Sequence, residues 1–320
     1  MTMLGEFELI DRLLKPLARG YPGALDLTDD AALVDVPPER QLVVAKDAMV
    51  ADVHFLRTDP PELIAGKLLR VNLSDLAAMG AEPLGYLTVL ARSPDIDDGW
   101  LERFAGGLAV DQRRFGCHLL GGDTVSTPGP LTLTLTILGT VPAGQALLRS
   151  GARPGDDVWV SGTLGDAAIG LRVLRGLAVT EEEAIALVDR YRTPRPRLAL
   201  GRSLRGLATA AVDVSDGLVA DLGHILTESQ VGARIEAALL PLSPVGRGIP
   251  GAREAALTGG DDYELLFTAP PERRAEVEAL ADRLDHGLAR LGAIHAGAGL
   301  EVLGVDGQPL ALDRVGWRHF

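Results

Sequence analysis

A single cysteine among 320 residues, Cys117, excludes an internal disulfide and any cysteine-rich metal site. Basic residues are also few: 31 Lys plus Arg against 44 Asp plus Glu leave a net charge of −13, with no Lys/Arg-rich run. That balance argues against nucleic acid as the main partner. A phosphorylated ligand would need local help from metal or arginine. No stretch approaches the ~20 apolar residues of a membrane span. The most apolar run, Leu131 to Val141, alternates Leu with Thr as a half-buried strand does. The opening residues carry Glu6, Glu8 and Asp11 and do not resemble a signal peptide, which sets the expectation of a reducing cytoplasm. Repeats at a solenoid period and low-complexity segments are absent too.

What the sequence does have is aspartate where strands or helices meet loops. Five segments carry it: Thr28-Asp29-Asp30, Lys46-Asp47, Asn72-Leu73-Ser74-Asp75, Gly121-Gly122-Asp123 and Asp213-Val214-Ser215-Asp216-Gly217. Gathered by folding, they would form a polyanionic pocket. Two carboxylates ~4 Å apart repel by ~4 kcal/mol at an effective dielectric near 20, so divalent cations or shared protons must neutralise such a pocket. Hard oxygen ligands point to magnesium, and magnesium beside Gly-rich turns suits a nucleoside triphosphate.

The length predicts two domains, both α+β. In the first, Gln41 to Ala45 reads as a strand, Pro60-Pro61 opens a helix through Met79, and Leu84 to Ala91 is a second strand. Apolar spacing makes Asp98 to Phe115 a helix, and Cys117 to Leu120 and Leu131 to Gly139 are further strands. Val141-Pro142-Ala143-Gly144 and Gly151-Ala152-Arg153-Pro154-Gly155 break the pattern, dividing the chain into 1–142 and 143–320. The second half restarts with a strand at 157–160, helices near 166–176, 181–191 and 196–208, a strand at 210–214 and a helix at 218–228. Strands at 233–237 and 263–268 and a helix at 271–283 follow.

Each candidate also has a structural reading. Asp75 lies seven residues after Leu68 and four after Val71, on a helical stripe that otherwise faces the core. It is a metal ligand, a buried partner of Arg70 or a cap of a later turn, with metal ligation the favoured reading. Asp47 and the pair Asp29-Asp30 can simply satisfy turn backbone. Gly121-Gly122-Asp123 can be a bare turn or a place where backbone approaches a ligand. Ser215 and Asp216 can cap the helix that follows, or face a phosphate or its metal. His54 is open between core and substrate contact, and Trp317 between packing and a lid over a flat ring.

Taken together, Gly5-Glu6-Phe7-Glu8-Leu9-Ile10, Asp47 with Val53-His54-Phe55, the string Val71-Asn72-Leu73-Ser74-Asp75-Leu76-Ala77-Ala78-Met79-Gly80-Ala81, Gly121-Gly122-Asp123-Thr124, Asp213-Val214-Ser215-Asp216-Gly217-Leu218, Asp262-Tyr263-Glu264-Leu265-Leu266-Phe267 and Gly316-Trp317-Arg318-His319-Phe320 resemble the thiamine-monophosphate kinase family. That family lies within the aminoimidazole ribonucleotide synthetase-like superfamily. The resemblance implies a two-domain α+β fold, with N-terminal sheets joined into a barrel across a homodimer. It also implies direct transfer of phosphate from ATP to thiamine monophosphate with several magnesium ions. Carried over, Asp30, Asp47, Asp75, Asp123 and Asp213 become magnesium ligands and Asp216 holds a further ion, with Asp47, Asp75 and Asp123 at the reaction centre. Gly122, Asp123, Arg149 and Ser215 would meet ATP. His54, an acidic residue of the 261–264 segment (Asp261 or Glu264) and Trp317 would hold the substrate.

Three departures from the family pattern stand out. Asp26-Leu27-Thr28 replaces a Gly-Ile-Gly turn, Ala45-Lys46 replaces hydroxyl residues before Asp47, and Gly-Gly-Asp-Asp replaces Gly-Gly-Glu-Asp. Lys46 either substitutes for one magnesium ion or points away. Two rival readings follow: another ATP-dependent enzyme of the superfamily, such as aminoimidazole ribonucleotide synthetase or a hydrogenase-maturation enzyme, or a nucleotide-binding dimer without catalysis.

Overall fold

The Leu–Thr alternation becomes a strand, Thr132–Pro142, that buries Leu133, Leu135, Ile137 and Val141 and leaves its threonines half-exposed. It belongs to a computed structural model that describes residues 5–284, 286–312 and 315–317. Arg318, His319 and Phe320 of the closing motif therefore lie outside the described residues. Two compact units result, one of residues 1–76 with 81–144 and the other of 77–80 with 145–320. Among the described residues no helix is long and apolar enough to cross a membrane.

The first unit opens with α1 (Glu6–Leu9), a π-helical turn (Ile10–Leu14) and α2 (Lys15–Ala18). It continues through β1 (Arg40–Val50), α3 (Pro61–Ala78), β2 (Glu82–Arg92), α4 (Asp98–Phe115), β3 (His118–Ser126) and β4 (Thr132–Pro142). The sheet order is β1-β4-β2-β3, with β2 and β3 parallel across the α4 crossover and the other pairs antiparallel. Asp97 caps α4 by accepting the Trp100 N–H, and Gly116 ends the helix in the left-handed region. On the helix-covered face Tyr86 donates its hydroxyl to Gln112 Oε1 at 3.0 Å, and Leu68, Leu73, Leu76 and Leu108 are fully buried. Arg70 forms a bidentate pair with Asp111, at 2.6 and 2.8 Å, and so ties α3 to α4.

The opposite face of this sheet is covered only around Leu138, where Ala18, Ala24 and Leu120 form a small cluster, and it leaves Leu42, Val44, Leu87 and Val125 exposed. In β3 the register jumps from Leu119–Tyr86 to Gly121–Leu87, so Leu120 is an inserted bulge residue. The Gly121-Gly122-Asp123 segment thus lies inside a strand, not in a turn after one. Its glycine has a packing reason: a Cβ on Gly122 would sit 2.0 Å from the Thr88 carbonyl oxygen.

The second unit comprises β5 (Asp157–Ser161), α5 (Asp166–Leu174), α6 (Glu181–Arg192), α7 (Leu198–Leu204), β6 (Ala210–Asp213), α8 (Leu218–Ser229) and β7 (Gly232–Glu236). It finishes with α9 (Ala252–Thr258), β8 (Leu265–Ala269), α10 (Arg274–Leu284), β9 (Leu288–His295) and β10 (Gly299–Leu303). Its mixed sheet runs β10-β7-β9-β5-β8-β6, with only β10 and β7 parallel. The core beneath it joins Val158, Val160, Ile169, Val212, Leu222, Ile225 and Leu266. Strands β9 and β10 escape a reading by alternation because Arg290, Gly292 and Gly299 interrupt their apolar pattern.

Candidate active site

In the first unit, Asp47 and Asp75 come together. Asp47 stands mid-strand in β1 opposite Leu135, on the helix-covered side of the sheet, and Asp75 projects from α3. Burial pushes the Asp47 carboxyl above the usual range, and a hydrogen bond with the Asp75 carboxyl partly opposes this. Asn72, one turn before Asp75, accepts the Asp47 backbone N–H on its Oδ1 at 3.1 Å and fixes the approach of helix to strand. Nothing in the apolar pattern singles out this residue, although it is fully buried.

Lys46 takes the other side of β1. It is exposed and paired with Thr136 on the open face, so it points away from the Asp47–Asp75 pair. Asp123 is also exposed, in the row of Val89 and Thr134 on that same face, and its Oδ1 accepts the Thr124 N–H at 2.8 Å. The sheet therefore separates Asp123 from Asp47. Asp30 is exposed in the loop after a 3-10 turn, Pro22–Leu27. There Leu25, Asp26 and Leu27 hold left-handed backbone, with φ of 52°, 52° and 55°. Asp26, which replaces one of the family's glycines, thus keeps a conformation that glycine adopts without strain, whereas Thr28, which replaces the other, has φ −108°.

His54 sits in the turn after β1. Its Nδ1 accepts the Val50 N–H at 3.0 Å, so Nε2 carries the proton in the neutral ring, and its carbonyl accepts from the buried Lys67 Nζ at 3.1 Å.

In the second unit three segments meet at the end of β6. The loop Asp213 to Gly217 leads into α8, and the Asp261 N–H donates to the Ser215 carbonyl at 2.9 Å. The Trp317 N–H donates to the Asp216 carbonyl, also at 2.9 Å. Gly316 permits this docking, since a Cβ there would lie 2.6 Å from that of Ala220. Trp317 is 53% exposed. Arg149 is exposed as well, and follows Leu148, whose carbonyl accepts the Ala211 N–H of β6 at 2.8 Å. Asp213, Ser215, Asp216, Asp261 and Trp317 thus cluster around one strand end, whereas Arg149 lies beside the start of β6, its carbonyl accepting from Ser229 Oγ at the last residue of α8.

The cap of α8 is not the one expected. Neither Ser215 nor Asp216 caps the helix by its side chain; instead Asp221 Oδ2 accepts the backbone N–H groups of Ser215, Asp216 and Gly217 at 3.0, 3.1 and 3.1 Å. Those three donors are consequently engaged, and only the Ser215 hydroxyl is left to meet a phosphate. Burial first, then the charges of Asp213 and Asp216, push the Asp221 carboxyl up to about 7. Asp216, Asp221 and His224 form the one trio among the described residues that could hold a metal ion, with ligand atoms within 4.8 Å of one another. Sequence reasoning missed Asp221; its signal was an acid four residues after the Gly that opens the helix.

The acidic residues at 261–264 divide by environment. Glu264 is 0% exposed, with Oε1 accepting from Arg190 at 2.9 Å and Oε2 accepting from Ser161 and Arg197, both at 2.6 Å. A second Arg197 nitrogen bonds Oε1 at 2.5 Å. Contrary to expectation, such a saturated carboxylate has no room for a substrate. Asp262 is buried too; its Oδ2 accepts the Gly165 N–H at 2.7 Å, its Oδ1 has no partner, and burial pushes its carboxyl well above the usual range. Asp261 alone is partly exposed, on left-handed backbone with φ 71°.

Two mixed α+β units, the first with an aspartate pair between strand and helix and the second with an acidic loop cluster, define a class. Residues 28–141 match the AIR synthase related protein N-terminal domain, and residues 153–304 match the corresponding C-terminal domain. The thiamine-monophosphate kinase of Escherichia coli K12 is 43% identical over 326 residues, 99% of this chain and 98% of that protein. The crystal structure of thiamine-monophosphate kinase from Stenotrophomonas maltophilia superposes with a TM-score of 0.86 at 43% identity, covering 97% of this chain and 99% of that one. A further solved structure, AaThiL complexed with AMPPCP and TMP, gives a TM-score of 0.79 at 32% identity, covering 100% and 99%. The chain belongs to the thiamine-monophosphate kinase family.

Proposed function

We propose that the chain transfers the γ-phosphoryl group of ATP directly onto the phosphate of thiamine monophosphate, yielding thiamine diphosphate and ADP. The observation that carries this reading is 43% identity to a thiamine-monophosphate kinase across 99% of the chain. A related structure that holds AMPPCP and TMP supports it. The acceptor oxygen is already anionic, so no strong general base is needed, and the obstacle is repulsion between two phosphates. A bound magnesium ion supplies charge neutralisation between them. The residues fit several such ions, because Asp30, Asp47, Asp75 and Asp123 in the first unit and Asp213 and Asp216 in the second offer only hard oxygen donors, and the part-buried Asp47–Asp75 pair is one that a cation relieves.

The remaining roles belong to this chain's own side chains. Arg149 clamps a nucleotide phosphate, and Ser215 contributes its hydroxyl. His54 donates from Nε2 to the substrate, Asp261 takes the role first shared with Glu264, and Trp317 offers a flat apolar wall to a heteroaromatic ring. Residues 1–142 serve nucleotide, magnesium and dimer formation, and residues 143–320 carry further nucleotide and substrate contacts. The exposed Leu42, Val44, Leu87 and Val125 support joining of the open sheet face to that of a second copy as a barrel. ATP supply and a reduced Cys117 suit the cytoplasm.

The test is incubation of the purified chain with ATP, magnesium and thiamine monophosphate, followed by chromatography. Thiamine diphosphate in amounts equal to the ADP released is expected. AMPPCP affinity with no diphosphate product would overturn the reading.

A further inference from the structure

Three consecutive backbone donors converging on one oxygen is more than a helix cap. Helix caps satisfy N–H groups inside the first turn. Asp221 lies in the first turn of α8 yet reaches back to Ser215, Asp216 and Gly217, which precede the helix. It is 2% exposed, and its own N–H donates to the Gly217 carbonyl at 2.9 Å, closing the loop from both sides. The carbonyls of the same loop are tied outward, Ser215 to the Asp261 N–H and Asp216 to the Trp317 N–H. One carboxylate therefore sets the backbone from which Ser215 and Asp216 project and against which Asp261 and Trp317 are registered.

We infer that Asp221 is a positioning residue for phosphoryl transfer, holding the 215–217 loop so that Ser215, Asp216, Asp261 and Trp317 share one geometry. The inference rests on the kinase reading for its effect on rate, but not for its effect on the loop. Oriented N–H groups of this kind form an anion nest, and here a side chain fills it in place of a phosphate. The nucleotide is left to the side chains of the loop.

Three variants separate the possibilities. Asp221→Asn keeps an oxygen acceptor in the nest, Asp221→Glu displaces it by a methylene, and Asp221→Ala empties it. In hydrogen exchange, the peptide spanning Ser215 to Gly217 should exchange at least ~10-fold faster in the Ala variant and stay within ~3-fold of the parent in the Asn variant. With thiamine monophosphate, kcat should fall at least ~10-fold in the Ala and Glu variants while Asn restores most of it. If Asp221→Ala does not fold by circular dichroism, the Glu and Asn variants carry the comparison. An Ala variant (or, should it not fold, a Glu variant) with parental exchange in the loop, or with parental kcat per folded molecule, overturns the inference. A parent chain that makes no thiamine diphosphate would overturn the kinase reading instead, and the exchange comparison would still decide what Asp221 does.

Discussion

Asn72 holds the backbone of Asp47: its Oδ1 accepts that residue's N–H at 3.1 Å while its Nδ2 donates to the Leu68 carbonyl at 2.9 Å. The strand carrying one carboxylate is thereby locked to the helix carrying the other. Replacing Asn72 by Leu leaves the Asp47 N–H without its partner, while the Leu68 carbonyl keeps its helical hydrogen bond, at a cost of about 1–3 kcal/mol in urea unfolding. It should also raise the magnesium concentration needed for half-maximal rate.

Asp75→Asn should abolish turnover with the fold intact, because the amide removes one charge from the Asp47–Asp75 pair without changing its shape. Near-parental activity would take Asp75 out of the metal site. Lys46→Thr is the matching control. Since Lys46 faces the open side of β1, the magnesium titration should be unchanged, and a steeper one would return Lys46 to the role of a fixed cation.

Asp261→Asn and Glu264→Gln should fail differently. The first should raise KM for thiamine monophosphate with little change in melting temperature. The second leaves Arg190 and Arg197 sharing a neutral partner in the interior, where breaking a buried pair costs about 3–5 kcal/mol. It should therefore show itself in unfolding experiments, and equal stability of the two variants would contradict the assignment.

Asp262 makes stability depend on pH. Its folded carboxyl is raised above the ordinary value, so its contribution is fully present below the unfolded value near 3.8 and is lost as pH rises toward the folded one. Asp262→Asn should flatten that part of the stability profile. Chemical unfolding at a series of pH values reads it directly, and an unaltered slope would mean that Asp262 ionises normally.

The left-handed run at Leu25, Asp26 and Leu27 predicts a gain on substitution. Asp26→Gly should stabilise the chain by about 0.5–1 kcal/mol, since this exposed side chain sits in a conformation that L residues disfavour by roughly 1–2 kcal/mol and glycine returns part of the gain as chain entropy. Thermal unfolding checks it.

The sequence made the covered elements easier to read than the junctions. The helix Asp98–Phe115 coincides with its expected bounds because a capping Asp97 and a left-handed Gly116 close an amphipathic stripe. Strand β4 follows from alternation alone. The glycines of 121–122 misled the reading, because what they accommodate is a neighbouring strand at Thr88 and not a turn. At the site, Asp75 was legible as a charge on an apolar stripe. Asp221 was not, because an acid in a first helical turn looks ordinary until its long-range target is seen. Glu264 could not be sorted from Asp261 by spacing, since what separates them is two arginines brought in from α6 and from Arg197 just before α7.

The inserted Leu120 has an effect beyond its own strand. Had Leu120 instead paired in register with Leu87, the aspartate at 123 would align with Leu90, on the side covered by helices where Asp47 lies. One additional peptide unit instead hands that charge to the surface left bare. Removing Leu120 would straighten the strand and keep Gly121 opposite Leu87, so the charge would stay where a visiting molecule can meet it.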